Sequence, residues 1–261
     1  MDRHAILAAF AAQIRRHRHP DASDGDVEHD DRVVRSVSVG DGWTGVSWSD
    51  LDHACAEAVI AAQIRRFAGW SRPWEWKYYS YDQPPDLPGR LLAAGFTPGP
   101  TEALLVAEIA DLALDVPPPP GVDLRAVVDE PGVEALVSLH DEVFGGDHSA
   151  IGRAVLAGLA RQPSTGAAVV AMAGRTPIAA GRVEFHRGTD FASLWGGGTV
   201  PSWRGRGVFR SLVAHRAALA SARGFRYVQV DASPHSRPIL ERLGFAMLAT
   251  TTPFMHPGRT N

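Results

Sequence analysis

Apolar and polar positions alternate along residues 33–39 and again along 43–48, the period of two that predicts strands. The period then lengthens. Leu51, Cys55, Val59 and Ala62 recur at helical spacing, so 51–67 reads as a helix, with Ser49 as its cap and an acid at Asp52 three positions on. Cys55 sits on that apolar stripe and reads as a small core residue; no His or basic partner marks it as a nucleophile. Residues 74–81 (Trp-Glu-Trp-Lys-Tyr-Tyr-Ser-Tyr) carry aromatics on both alternating faces. That predicts a strand with a packed face, and packing is preferred to base or ligand stacking because no basic groove accompanies the run. A short helix at 87–94, ended by Gly95-Phe96, and a strand at 102–109 complete the first half. At the N-terminus the apolar run from Ala5 to Ala12 follows an acid and precedes Arg15, Arg16 and Arg18, which suits a helix over 2–18 stopped by Pro20. The run is too short for a bilayer, and its charges follow it where a secretory leader would carry them first.

Four prolines at 117–120 donate no backbone hydrogen bonds and favour an extended segment. They read as a linker at 117–121 between a first domain, 1–116, and a second, 122–261. The second half has strands at 122–128, 167–173, 178–186, 191–200, 225–231 and 246–252. Helices are expected at 133–143, 150–160, 209–223 and 237–243, with breaks at Gly145-Gly146-Asp147-His148, Gly224 and Gly244. Strands and helices mixed in this order predict an α/β fold around a mixed sheet.

Composition removes several classes. With 45% hydrophobic and 21% charged residues the composition argues against a wholly disordered chain. The net charge of −3 leaves no global footprint for nucleic acid or an anionic membrane. One cysteine permits no intrachain disulfide and no Cys-rich zinc framework, and it suits a reducing cytoplasm. The acidic stretch 21–31 has a superficial calcium-loop look, but Gly25 stands fifth and Arg32 twelfth, where a bidentate Glu is needed. It reads as a solvated loop, and no metal is expected.

The 26 glycines and 19 prolines, about a sixth of the chain against a usual roughly 12%, must serve turns, the linker or a backbone-binding loop. One such loop is Val200-Pro201-Ser202-Trp203-Arg204-Gly205-Arg206-Gly207-Val208-Phe209, between a strand and a helix. Two glycines let the backbone turn sharply, the helix start presents free N–H groups, and Arg204 and Arg206 add cationic donors. The chemistry is that of an anion or pyrophosphate cradle. A Walker loop is excluded because Gly-Lys-Ser/Thr is absent, and a dinucleotide fingerprint because Arg210 stands at the third glycine position. A single Arg-Gly repeat is no RNA-binding segment.

The loop resembles the acetyl-CoA pyrophosphate loop of the GNAT N-acetyltransferase superfamily, whose pattern is Arg/Gln-x-x-Gly-x-Gly/Ala. Arg204 and Gly207 match, while Phe209 replaces the usual small last residue. The run from Ser236 to Phe245 looks like the family's last helix with its Gly-Phe ending, and the element order over 122–252 fits. Leu91 to Phe96 parallels Leu240 to Phe245, so the first half reads as a degenerate GNAT-like copy without a cofactor cradle, expected to complete the sheet, shape the acceptor cleft or mediate association.

The resemblance implies a cytoplasmic acetyl-CoA-dependent N-acetyltransferase acting on a small-molecule, amino-acid or peptide amine by direct attack. Nucleic acid and membrane are not expected as partners, and a homodimer is left open. Pantetheine would pair with backbone at Gly198, Thr199 and Val200, and the pyrophosphate would sit on the amides of Arg204, Gly205, Arg206, Gly207, Val208 and Phe209. Many members carry a thiolate-protonating Tyr where this chain has Leu240, and an Asn where it has Ser233. His235 and Ser236 are the nearest polar replacements, and Glu184 or His186 could serve as base. The missing Tyr keeps a second reading open, a non-catalytic acyl-CoA-binding regulatory module.

Overall fold

The computed structural model describes residues 2–17, 25–38, 42–161 and 164–258. Its strands in chain order are β1 Asp26–Asp30, β2 Val33–Val37, β3 Gly45–Ser49, β4 Trp74–Tyr79, β5 Thr97–Pro98, β6 Glu102–Glu108, β7 Val122–Ala126, β8 Gly166–Ala173, β9 Thr176–Phe185, β10 Phe191–Thr199, β11 Tyr227–Ala232 and β12 Ala246–His256. Its α-helices are α1 Arg3–Phe10, α2 Ala56–Arg66, α3 Leu87–Ala93, α4 Glu130–Phe144, α5 Ser149–Leu159, α6 Val208–Ser221 and α7 Arg237–Arg242. No helix among the described residues is long and apolar enough to cross a membrane.

All the strands share one mixed sheet, in the order β1-β2-β3-β4-β12-β6-β11-β10-β9-β8-β7, with β5 on β12. The halves interleave at its centre. β6 of the first half pairs with β11 on one side and β12 on the other, both from the second half. β12 runs on past the expected residue 252 to His256, because its later residues pair with β4 while its earlier ones pair with β6. The four prolines lie between β6 and β7 without regular structure of their own.

The aromatic strand β4 shows how the sheet separates packing from chemistry. Trp74 and Trp76 are buried among Phe67, Leu87 and Phe96. Glu75, Lys77 and Tyr79 alternate to the opposite face and line a cavity. α1, continued by a wider π-type turn over Ala11–Arg16, covers that face, with Phe10 edge-on to Tyr79 and Phe191. Gln13 anchors this helix by accepting from Asp190 N–H and donating to the Asp190 carboxylate.

Some local expectations needed correction. Residues 26–30 form β1, pairing with β2, instead of a solvated loop, because a neighbouring strand offers its backbone a ladder. Residues 21–24, Arg18, Pro20 and Val39 lie outside the described residues. The α2 helix starts at Ala56 and is led in by Asp52, whose Oδ1 accepts from Ala54 and Cys55 N–H; Ser49 instead ends β3. Cys55 packs half-buried against the core, as its stripe predicted, but it does have a basic neighbour: its Sγ accepts from Arg32 Nη1 and from Asp52 N–H, each at 3.3 Å.

Candidate active site

β10 and β11 run parallel but pair only over Phe191–Ser193 and Tyr227–Gln229. Beyond Ser193 the β11-facing edge of β10 has no partner strand among the described residues, so the two strands splay into a V. β10 then passes through a turn at Pro201–Trp203 into Gly205 and Gly207, both left-handed at φ 74° and 89°. Gly207 is the cap of α6 and offers no side-chain oxygen. Ser211 N–H donates to Gly207 C=O, so the amides of Val208, Phe209 and Arg210 leave the helix start without an intrahelical acceptor. A Cβ on Gly205 would meet nothing within 4 Å, so the turn faces open space. Arg204 does not point freely from this loop: its Nε donates to Thr199 C=O at 3.0 Å and fastens the turn. The Arg206 guanidinium lies 4.8 Å over the Trp203 ring.

Behind the V, three consecutive glycines make room for side chains from both flanking helices. A Cβ on Gly196 would approach His140 Cε1 to 2.8 Å, one on Gly197 would meet Phe209 and Arg216 at 3.1 Å, and one on Gly198 would meet Val143 at 2.8 Å. The large Phe209 ring is therefore accommodated against glycine. His140 Nε2 donates to Gly196 C=O at 2.9 Å; the carbonyl can only accept, so the proton is on Nε2. Arg216, from α6, is buried and donates to the carbonyls of Leu212, Arg182 and Trp195. These two residues hold the bulge that β10 makes between Trp195 and Gly198. Burial, with the nearby Arg182 charge, lowers the Arg216 guanidinium to about 9, so it still carries its charge at neutral pH.

Burial also holds the His140 imidazole down at about 4, with Arg182 adding to the effect and the Gly196 bond opposing it. Between about 4 and the ordinary 6.5 the unfolded chain binds a proton that the folded chain refuses, so stability rises with pH across that window. Urea unfolding from pH 4.5 to 7 should show this slope in the wild type and a flatter one in His140→Gln.

At the base of the V lies a chamber of about 470 Å³ between the two halves. Alternate residues of four strands line it: Arg182, Glu184 and His186 of the β9 strand and its end, Ser193 and Trp195 of β10, Gln229 and Asp231 of β11, and Glu75, Lys77 and Tyr79 of β4. Phe10, Ile14 and Arg15 close it from above. Lys77 Nζ donates to Asp231 Oδ2 at 2.7 Å. Burial alone would lower this lysine, but Asp231, Tyr79 and Glu75 more than reverse that and hold it charged well above its ordinary range. Glu102, beside the pair, is pushed up by burial and by the Asp231 charge. His186 Nε2 and Ser193 Oγ share a hydrogen bond, and Trp43 Nε1 donates to Glu75 Oε2 at 2.6 Å.

The structure separates the residues singled out from sequence. Gly198, Thr199 and Val200 end the V, and Arg204 to Phe209 form the turn that follows. Glu184 lines the chamber, 3.8 Å from Arg182 Nη1. His235 is exposed, and Ser236 Oγ bonds within its own turn to Ser233; neither lines the chamber. Leu240 is buried in the core. Lys77, Asp231, Gln229, Glu75 and Trp195 were not found from sequence; the strand alternation of 74–79 was the available signal for Glu75 and Lys77. Among the described residues no three His, Cys, Asp or Glu side chains gather as a cation site.

No protein-family model and no curated protein matches the chain. Solved structures do. A GCN5-related N-acetyltransferase from Kribbella flavida is similar at 19% identity over 98% of this chain and 95% of that one, with a TM-score of 0.69. A tandem GNAT protein from the clavulanic acid biosynthesis pathway, determined without AcCoA, is similar at 12% identity over 99% and 95%, with a TM-score of 0.62. A GCN5-related N-acetyltransferase from Sphaerobacter thermophilus is similar at 13% over 90% and 83%, with a TM-score of 0.57. At these identities the likeness is one of fold.

Proposed function

The chain has the GCN5-related N-acetyltransferase (GNAT) fold, and from that premise we propose that it is an acetyl-CoA-dependent N-acetyltransferase that acetylates a primary amine by direct attack. One observation carries the reading. The splayed strands run from a polar chamber at one end to a left-handed glycine turn with unengaged amides at the other. That juxtaposition fits a long cosubstrate with an anionic middle and a reactive tip. Gly205 to Phe209 would hold the pyrophosphate through backbone N–H groups and the helix dipole. A second cavity of about 440 Å³ between α6, α7 and the segment before the prolines is lined by Arg210 and Arg242, donors suited to further phosphate.

The thioester supplies an activated acetyl group. The chain's part is to hold the amine, remove its proton and steady the carbonyl oxygen. Glu184 is the carboxylate on β9 within the chamber and is assigned the proton. Arg216, charged and buried behind the β10 bulge, fixes the carbonyls of Trp195 and Arg182 so that the free edge of β10 keeps its shape. No tyrosine is offered to the leaving thiolate at Leu240, so its proton comes from water or from a chamber group.

Thiol release from acetyl-CoA in the presence of a panel of primary amines tests this reading. Glu184→Gln should lower kcat by about 100-fold or more while acetyl-CoA binding persists. The buried Leu240 favours the competing reading, a non-catalytic acyl-CoA-binding module. That module would bind acetyl-CoA yet release no thiol with any amine.

A further inference from the structure

The buried polar atoms around the chamber are not randomly unpartnered. On β11, Asp231 Oδ1 and Gln229 Oε1 are buried acceptors without a donor, and Glu75 Oε1 on β4 is a third. The Asp231 side chain is only 2% exposed and Gln229 only 4%. Across the V, Trp195 Nε1 on β10 and Arg182 Nε on β9 are buried donors without an acceptor. Trp195 and Arg182 face each other in register, and Gln229 and Asp231 are two apart on one strand, so each pair presents itself on the chamber face. Unsatisfied acceptors thus line β11, with Glu75 further off on β4, and unsatisfied donors line β10 and its neighbour β9. Leaving such groups buried and unpaired is costly, so the arrangement selects a ligand that answers both rows.

We propose that the chamber binds a zwitterion, an amine that also carries a carboxylate, of the α-amino acid type. Its ammonium donates to Asp231 and Gln229, and its carboxylate accepts from Trp195 and Arg182. β10 lies beside β11 and β9 one strand further, so Trp195 and Arg182 on one side and Gln229 and Asp231 on the other bracket the space that a compact α-amino acid would bridge. Lys77 engages the second oxygen of Asp231 and so fixes the orientation of that side chain. Phe10, Ile14 and Ile151 leave an apolar wall for the side chain of the ligand. In this pose the amine lies on the β11 side, across the chamber from Glu184, so Glu184 would take its proton through water; the transfer step rests on the acetyltransfer reading, and the recognition does not.

The test is titration calorimetry of the full chain with L-phenylalanine, phenethylamine, L-phenylalaninamide and 3-phenylpropionate, repeated with L-leucine and isoamylamine, and alongside acetyl-CoA. L-Phenylalanine or L-leucine should bind at least tenfold more tightly than its carboxylate-free or amine-free counterparts. Arg182→Gln with Trp195→Phe should erase that preference while phenethylamine binding holds. Asp231→Asn should weaken the amines and spare 3-phenylpropionate. Equal affinity across the set, no binding by any member, or an equal loss for phenethylamine in the Arg182→Gln, Trp195→Phe variant overturns the proposal. Acetyl-CoA binding without a zwitterion preference sinks this inference alone; a zwitterion preference without acetyl-CoA binding sinks the acetyltransfer reading alone.

Discussion

Gly207→Asp is expected to remove most of the stabilisation by acetyl-CoA. Gly207 adopts φ 89° at the first turn of α6, immediately before the amides that α6 leaves unbonded. An aspartate there places a carboxylate against those amides, competes for them and repels a pyrophosphate. At a concentration 100 times its Kd, acetyl-CoA should stabilise the wild type by about 2.7 kcal/mol, a rise in Tm of about 5–10 °C for a chain of this size. A 100-fold loss of affinity leaves about 0.4 kcal/mol at that concentration, a shift of about 1 °C. Gly207→Ala separates strain from charge. Its Cβ meets only Pro119 Cγ, at 3.9 Å, so it carries the left-handed cost of about 1–2 kcal/mol without a new anion. It should lose intrinsic stability yet keep most of its response to acetyl-CoA. An Asp variant that is stabilised as fully as the wild type would falsify the cradle assignment.

The largest loss of intrinsic stability is expected from Asp82→Ala. Arg15 and Asp82 form a two-pronged ion pair at 2.6 and 2.9 Å, with both side chains only 3% exposed. Arg15 also donates to Ser47 C=O and stacks 4.2 Å over the Tyr79 ring, while Asp82 accepts from Tyr79 N–H. Burial opposes the Arg15 charge, and the Asp82 carboxylate more than compensates, so the guanidinium is held charged above its ordinary range. Without Asp82 that charge is stranded at the wall of the chamber, a loss of about 3–5 kcal/mol or roughly 10 °C in Tm. Replacing both partners, Arg15→Met with Asp82→Leu, removes the stranded charge and should recover most of the loss. Chemical denaturation of the two variants decides this: a single variant within about 0.5 kcal/mol of wild type would show that the pair is solvated.

Much of the turn proposed to hold the cofactor was legible along the chain. The Arg204–Phe209 stretch is a local object: a strand end, two left-handed glycines and a helix start lie within ten residues. Even there the structure changed the part played by Arg204, whose side chain ties back to Thr199. The chemistry of the chamber was much less legible. Glu184 was found as a polar residue on a strand, but His235 and Ser236 were selected for nearness in sequence to Leu240 and lie outside the chamber. The aromatic run at 74–79 was correctly read as packed, since Trp74 and Trp76 are buried; the same alternation that buries them delivers Glu75 and Lys77 to the chamber.

The sequence by itself determined most of the strand and helix order, missing β1 and β5, together with the glycine turn and the fold it resembles, because periodicity, capping and glycine conformation act over a few residues. Only the tertiary structure decided that β6 enters between β11 and β12, that the first helix covers the chamber, and that Lys77 meets Asp231 from 154 residues away. A strand's own pattern says which residues share a face. Which strands lie beside it, and so which faces combine into a site, is settled by backbone pairing between segments distant in the chain.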